Sequence, residues 1–309
     1  MSEALVALRG VSKWFGRERV LEALDIDVPR GEVTVLLGRN GCGKSTCMRI
    51  VTGLVARDGG TAQVFGREVE DLRPEERERM AYVTDSSAAL ATATVADELD
   101  FTRRVRGARW SQARAQELLE RFEVPLAKRL GALSQGQKTR VRLVLALAAD
   151  PELLLLDEPA LGLDLFGRND LLEVVIETAE REGRAVLLST HLIDDVERVA
   201  DRVAFLKKGK IEAQGSIEEL RDRYRRARVL LGPGGPGALE KAAAGLVGIH
   251  RIQKDAQAPE DERVVLFDGS EDLLARLVAL AGAKSLDTRR LTLREIYFEV
   301  LSGRQEVLA

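Results

Sequence analysis

The apolar residues follow two different spacings along the chain. Val33-Thr34-Val35-Leu36-Leu37 is a short β-branched, apolar run with little polar interruption. Such a run predicts a strand buried on both faces, as in a parallel sheet. Residues 4–11 and 20–28 read as strands before it, with turns at Gly16-Arg17 and Pro29-Arg30-Gly31. A helix is predicted from Ser45 to about Val55. The alternation resumes with a strand at 153–157, a helix at 170–182, a strand at 185–189 and a helix at 193–199. Residues 203–206 and 210–214 form a predicted hairpin around Lys208-Gly209. Strands alternating with helices predict an α/β fold on a mainly parallel sheet. Between the two halves, about 95–149, helical signals dominate and predict a helical insertion.

The pattern changes near residue 220. Ser216-Ile217-Glu218-Glu219 is a capping box, so a helix is expected from Ile217. Gly232-Pro233-Gly234-Gly235-Pro236-Gly237 reads as a flexible, turn-rich stretch. After it come a helix (238–246), a strand (249–254), a polar turn (256–262), a strand (263–267) and a helix (271–282). A last helix is capped by Thr292 with Glu295 three residues on. The expected organisation is one domain over 1–220, with its helical part at about 95–149, and a small α+β accessory domain over 221–309.

Composition narrows the function. The chain has 309 residues, enough for one large core or two modest ones. A net charge of −3 and 4% aromatic residues give no sign of a nucleic-acid binder. The first residues lack the basic and apolar pattern of a signal peptide. The greasiest runs, 141–149 and 153–156, fall short of the roughly 20 residues a membrane span needs, so the chain is expected not to cross a membrane alone. Cys42 and Cys47, the only cysteines, sit in a loop and the helix after it, poor geometry for a disulfide; a reducing cytoplasm fits them. The basic stretches 103–109 and 221–228 read as solvated helix faces, given Glu218, Glu219 and Asp222 nearby.

Gly38-Arg39-Asn40-Gly41-Cys42-Gly43-Lys44-Ser45-Thr46 fits G-x-x-x-x-G-K-[ST], after a buried strand and at the opening of a helix. The glycines let backbone N–H groups wrap β- and γ-phosphates without Cβ clashes, and the helix start adds its positive dipole end. Lys44 brings a point charge to the phosphate oxygens, and the Ser45 hydroxyl is suited to Mg²⁺. The expected ligand is MgATP; the plain alternative is a glycine-rich turn that matches by chance. Cys42 lies beside a lysine at a helix start, a setting that lowers a thiol pKa; alternatively it is a small residue filling a tight loop. The strand at 153–157 ends in Asp157 and Glu158, at the crevice side of an α/β sheet. Asp157 is suited to hold Mg²⁺ through water and Glu158 to polarise the attacking water. Without the phosphate loop, a strand followed by an acidic turn would suffice.

With Leu133-Ser134-Gln135-Gly136-Gln137, twenty residues before that strand, the set resembles the nucleotide-binding subunit of an ATP-binding-cassette (ABC) transporter. This segment is similar to the family's signature loop, usually LSGGQ. Leu161-Gly162-Leu163-Asp164 resembles its D-loop, and His191 in Ser189-Thr190-His191 its switch histidine. The resemblance spans about 4–220 and implies a P-loop NTPase cassette: a mixed sheet core, an antiparallel β subdomain and a helical subdomain. It implies two cassettes packed head to tail, as a homodimer or with a related cassette. Each ATP then lies between one phosphate loop and the partner's Ser134, Gln135, Gly136 and Gln137, with His191 at the γ-phosphate. Phe15 aligns with the family's adenine-stacking aromatic, with Trp14 as competitor. Two positions depart from the family. Asp85 stands where a metal-binding glutamine is expected, and Arg39 replaces a proline.

The resemblance further implies a separate membrane-spanning permease, leaving this chain peripheral at the cytoplasmic face. A short permease helix would insert around 85–101. The segment 292–299 resembles the tail of ABC-2-type exporter cassettes. A soluble ABC ATPase, for example of iron–sulfur assembly, is the alternative. Cargo contacts belong to the permease.

Overall fold

Alternation of buried and exposed residues accounts for the first sheet. A computed structural model describes residues 4–84, 91–254 and 258–302. In it, β1 (Ala4–Phe15) and β2 (Glu18–Pro29) form an antiparallel pair. Leu24, Ile26 and Val28 turn inward while Asp25 and Asp27 face out, the period-two signature of a half-buried strand. β3 (Val33–Leu37) is buried at every position. The phosphate loop leads into α1 (Lys44–Val51), then β4 (Gly59–Val64), β5 (Arg67–Glu68), α2 (Pro74–Arg77) and β6 (Met80–Val83). β4 and β5 extend the antiparallel sheet in the order β2-β1-β4-β5. Only Ala62 and Val64 of β4 are buried apolar residues, too few to mark a strand from sequence.

The expected helical insertion resolves into α3 (Val95–Arg106), α4 (Gln112–Arg121) and α5 (Gln135–Leu147), joined by short 3₁₀ turns. Each starts at a hydroxyl side chain, Thr94, Ser111 or Ser134, that accepts from the backbone three residues on. β7 (Leu153–Asp157), α6 (Leu165–Glu180), β8 (Ala185–Thr190), α7 (Ile193–Val199), β9 (Arg202–Lys207) and β10 (Lys210–Ser216) follow. The second sheet runs β10-β9-β3-β8-β7-β6, with β9, β3, β8, β7 and β6 parallel. β3, β7 and β8 are buried throughout because both faces of the sheet are covered. One core joins the two sheets through Leu8, Leu24, Met48, Leu155, Leu187 and Leu206. α6 starts five residues before its predicted start, because Asp164 accepts from Gly167 N and caps it.

These elements make up one compact unit, Met1–Gln214, and a second covers Gly215–Ala309. The second holds α8 (Ile217–Arg223), β11 (Tyr224–Leu230), α9 (Gly235–Ala244), β12 (Ile249–Gln253), β13 (Glu262–Asp268), α10 (Glu271–Ala281), β14 (Lys284–Arg290) and α11 (Leu293–Tyr297). Its antiparallel sheet has the order β12-β13-β11-β14. Val229, Val265 and Phe267 pack with Leu239 of α9 and Leu274 and Leu277 of α10 in a separate core. The basic stretch 221–228 is therefore not one helix face. α8 stops at Arg223, and in β11 Ala227 and Val229 are buried while Arg228 is exposed. The glycine-rich run is also shorter than expected, since α9 begins at Gly235 with Pro236 in its first turn, where a missing N–H costs nothing. Among the described residues no helix is long and apolar enough to cross a membrane.

Candidate nucleotide site

The loop from Gly38 to Thr46 links β3 to α1, and the parallel register sets Leu37 beside Thr190 of β8 and Phe205 of β9. Gly38 N donates to Thr190 O at 3.2 Å. A Cβ on Gly38 would lie 2.4 Å from Leu206 O, so only glycine fits. Gly43, at φ 112°, would bring a Cβ to 2.7 Å from Leu21 Cδ2. Arg39, Asn40 and Gly41 are exposed on the crest; Ser45 and Thr46 are half-buried in the first turn of α1. Lys44 is 5% exposed. It curls across its own loop, Nζ donating to Gly38 O at 2.8 Å and Arg39 O at 3.3 Å. The same Nζ lies 3.0 Å from Glu158 Oε1 as an ion pair.

At the end of β7, Asp157 is buried among hydroxyls. Ser189 Oγ donates to its Oδ1 at 2.6 Å and Tyr82 OH to its Oδ2 at 3.1 Å. Glu158 follows at φ 51°, a left-handed conformation that costs a non-glycine residue about 1–3 kcal/mol. Its amide is tied down by Ser189 O at 3.1 Å and Ser189 Oγ at 3.2 Å. His191 Nδ1 lies 2.8 Å from Glu158 Oε2. Lys44, Asp157, Glu158 and His191 are thus brought together. Ser189 and Tyr82, which hold Asp157, escaped the sequence reading. The available signal for Ser189 was a small hydroxyl, next to Thr190, at the end of the otherwise apolar β8.

Of the two readings of Cys42, the structure bears out the small residue filling a tight loop. Cys42 is buried, and this desolvation outweighs the nearby Lys44, so its pKa moves up, not down. Lys44 favours the thiolate, but withdrawing water from it disfavours it more. Burial pushes Cys47 to about 12. Both cysteines are free.

The remaining candidates lie on other elements. Ser134 is exposed at the start of α5, where its Oγ accepts from Gln137 N and Gln137 Oε1 accepts from Ser134 N, each at 3.2 Å. Gln135 is exposed too. Gly136 packs on the D-loop segment, since a Cβ there would meet Gly162 O at 2.5 Å. Asp164 accepts from Gly167 N at 2.8 Å and pairs with Arg140 at 3.0 Å. The Gly167 amide and then Arg140 hold its carboxyl below the usual range. Phe15 is 50% exposed beside Trp14, with Lys13 Nζ 5.3 Å from its ring centroid. Asp85 lies outside the described residues.

A buried strand, a glycine loop opening a helix, and a second strand of the same sheet leading into two consecutive carboxylates define a P-loop nucleoside triphosphatase. The ABC transporter family matches residues 21–161. The ABC transporter ATP-binding protein YtrB of Bacillus subtilis is 31% identical over 220 residues, 71% of this chain and 75% of its own length. The daunorubicin resistance ATP-binding protein DrrA3 of Streptomyces coeruleorubidus is 30% identical over 317 residues, 99% of both chains. A dimeric ATP-binding cassette, solved in a post-hydrolysis state with ADP and Pi, superposes with a TM-score of 0.59 at 26% identity, over 68% of this chain and 98% of that one. The chain belongs to the ATP-binding, ATP-hydrolysing subunits of ABC transporters.

Proposed function

We propose that this chain drives an ABC-2-type exporter, working as a head-to-tail cassette dimer at the cytoplasmic face beneath a separately encoded permease. The observation that carries this reading is a division of donors. The loop Gly38–Thr46 with Lys44 offers one half of a triphosphate cradle. The exposed, capped start of α5 offers another: Ser134 Oγ accepts from Gln137 N, which leaves the hydroxyl proton to give, and the helix dipole adds to it. Two copies facing each other supply both halves to one nucleotide. The facing cassette is a second copy of this chain or a related one. The domain of residues 1–220 carries this chemistry, and 221–309 serves as its accessory.

Mg²⁺ suits the donor set. Asp157 is a buried carboxylate oriented by two hydroxyls, Ser45 offers another oxygen, and among the described residues no cluster of three or more acidic, histidine or cysteine side chains could hold a metal by itself. That fits an ion held mainly by substrate phosphates. When bound, the ion neutralises charge developing on the phosphates. Asp85 is the further candidate ligand. Lys44, now paired with Glu158, would turn to the β- and γ-phosphates and free the carboxylate. Glu158 would then take the proton of the attacking water, oriented by His191. Phe15, half-exposed, offers a face to adenine.

Support for export comes from the daunorubicin-resistance relative, matched along its full length including the second unit. A cavity of about 360 Å³ between β6, α3 and α5, lined by Val83, Thr102, Leu130 and Val141, suits a permease helix. Phe101 and Val105, one turn apart on α3, are 64% and 65% exposed. The test is Glu158→Gln, followed by light scattering with MgATP. A stable ATP-bound dimer is expected, lost again on adding Ser134→Arg. A variant that stays monomeric and hydrolyses ATP at the parental rate would end this reading.

A further inference from the structure

Asp195 is a carboxylate in the first turn of α7 with only 2% of its surface exposed. A charge that deep is costly unless paired. Its partner is Arg168 of α6, whose Nε donates to Oδ1 at 2.5 Å. Beside it, Arg198 Nη1 donates to Asn169 Oδ1 at 2.7 Å. Two side-chain links therefore strap α6 to α7.

What each helix carries gives the strap its significance. α7 follows directly on His191, and the turn between is braced by Leu192 N donating to Thr190 Oγ1 at 3.0 Å. His191 in turn lies against Glu158. α6 starts at Asp164, which Arg140 of α5 grips at 3.0 and 3.2 Å. A Cβ at Gly167 would come within 2.8 Å of that guanidinium, so glycine leaves the room Arg140 needs. The connections run from α5, the helix opened by Ser134, through Arg140–Asp164 to α6, then through Arg168–Asp195 to α7 and His191.

We propose that Arg168 and Asp195 are positioning residues for His191, and that with Arg140–Asp164 they couple the two nucleotide sites of the cassette dimer. The inference rests on the head-to-tail reading above. There, the start of α5 serves the partner's nucleotide, while His191 and Glu158 serve the chain's own. A shift of α5 on meeting the partner's nucleotide moves Asp164 and α6. The buried pair makes α7 follow, because an unpaired Asp195 has no comparably stable alternative. Neither residue touches substrate.

The test uses the full chain with Arg168→Met, Asp195→Asn, Arg168→Lys and the charge-reversed pair Arg168→Asp with Asp195→Arg. ATP turnover, affinity for a fluorescent ATP analogue and thermal midpoint are measured for each. Arg168→Met and Asp195→Asn are expected to lower kcat about tenfold while nucleotide Kd stays within about twofold and the Hill coefficient of turnover falls to about 1. Arg168→Lys, which keeps the charge, and the reversed pair are expected to hold or recover kcat within about threefold. Parental kcat and Hill coefficient per folded molecule, with only the thermal midpoint lowered, would overturn the proposal. So would a folded reversed pair without recovery. Glu158→Gln run alongside separates the two readings. If it abolishes turnover while the Arg168 and Asp195 variants stay normal, only the coupling fails; if it hydrolyses normally, the reading beneath it fails.

Discussion

Ser189 shows how much one hydroxyl can organise. It donates to Asp157 and accepts from the Glu158 amide, so it sets both carboxylates at once. Ser189→Ala removes a hydrogen bond from the buried Asp157 carboxylate, while the Glu158 amide keeps the Ser189 carbonyl, at a cost of about 1–3 kcal/mol. It is also expected to lower kcat about tenfold and raise the Mg²⁺ concentration for half-maximal turnover, since orienting neighbours tune metal ligands. Urea unfolding and a Mg²⁺ titration of ATP hydrolysis check the two effects separately. Sequence reading reached Asp157, Glu158 and His191 because each sits at a strand end or within an ordered motif. It did not reach Ser189, whose role depends on the parallel register that sets Asp157 beside it. Cys42 was decided in a similar way: its sequence neighbours display the lysine that would lower its pKa but not the burial that raises it, so the structure selects the small residue filling a tight loop.

At the scale of elements, some caps were legible and pairings were not. The Asp164 cap of α6 went unread, whereas Ser216 and Thr292 cap their helices through groups three residues on, a local signal. At the last of these, Glu295 accepts from Arg289 at 2.6 and 3.0 Å and from Thr292 N at 2.9 Å. Arg289 first, then the Thr292 backbone, bring its pKa from 4.5 to about 2, against the opposing effect of burial. A depressed folded pKa means the fold favours the charged form. The contribution is complete above 4.5 and is lost as pH falls from there through about 2. Glu295→Gln is therefore expected to lower the urea midpoint of the second unit at neutral pH. Its difference from the parent should shrink below pH 4.5 and close near 2. β11 was misread because Arg225, Arg226 and Arg228 mask the alternation of Ala227 and Val229.

For the whole molecule, separate cores in the two units imply separable stability. Calorimetry is expected to show two transitions. MgATP at about 100 times its Kd should stabilise only the unit holding Gly38–Thr46, by about 2.7 kcal/mol. A single transition moved as a whole by nucleotide would mean the units unfold together.

The chain's own order of residues determined the phosphate loop, the strands buried on both faces and the capped helix starts. In each, the physical requirement is met by residues a few positions apart: glycine where a Cβ would clash, unbroken apolar runs where both faces are covered, a hydroxyl ahead of a free amide. Tertiary structure alone decided that Ser189 and Tyr82 hold Asp157, that Lys44 meets Glu158, and that Arg168 neutralises Asp195. Those contacts join positions 27 to 114 residues apart or more than one element away, and no local pattern encodes which charge will lose its water and need a partner.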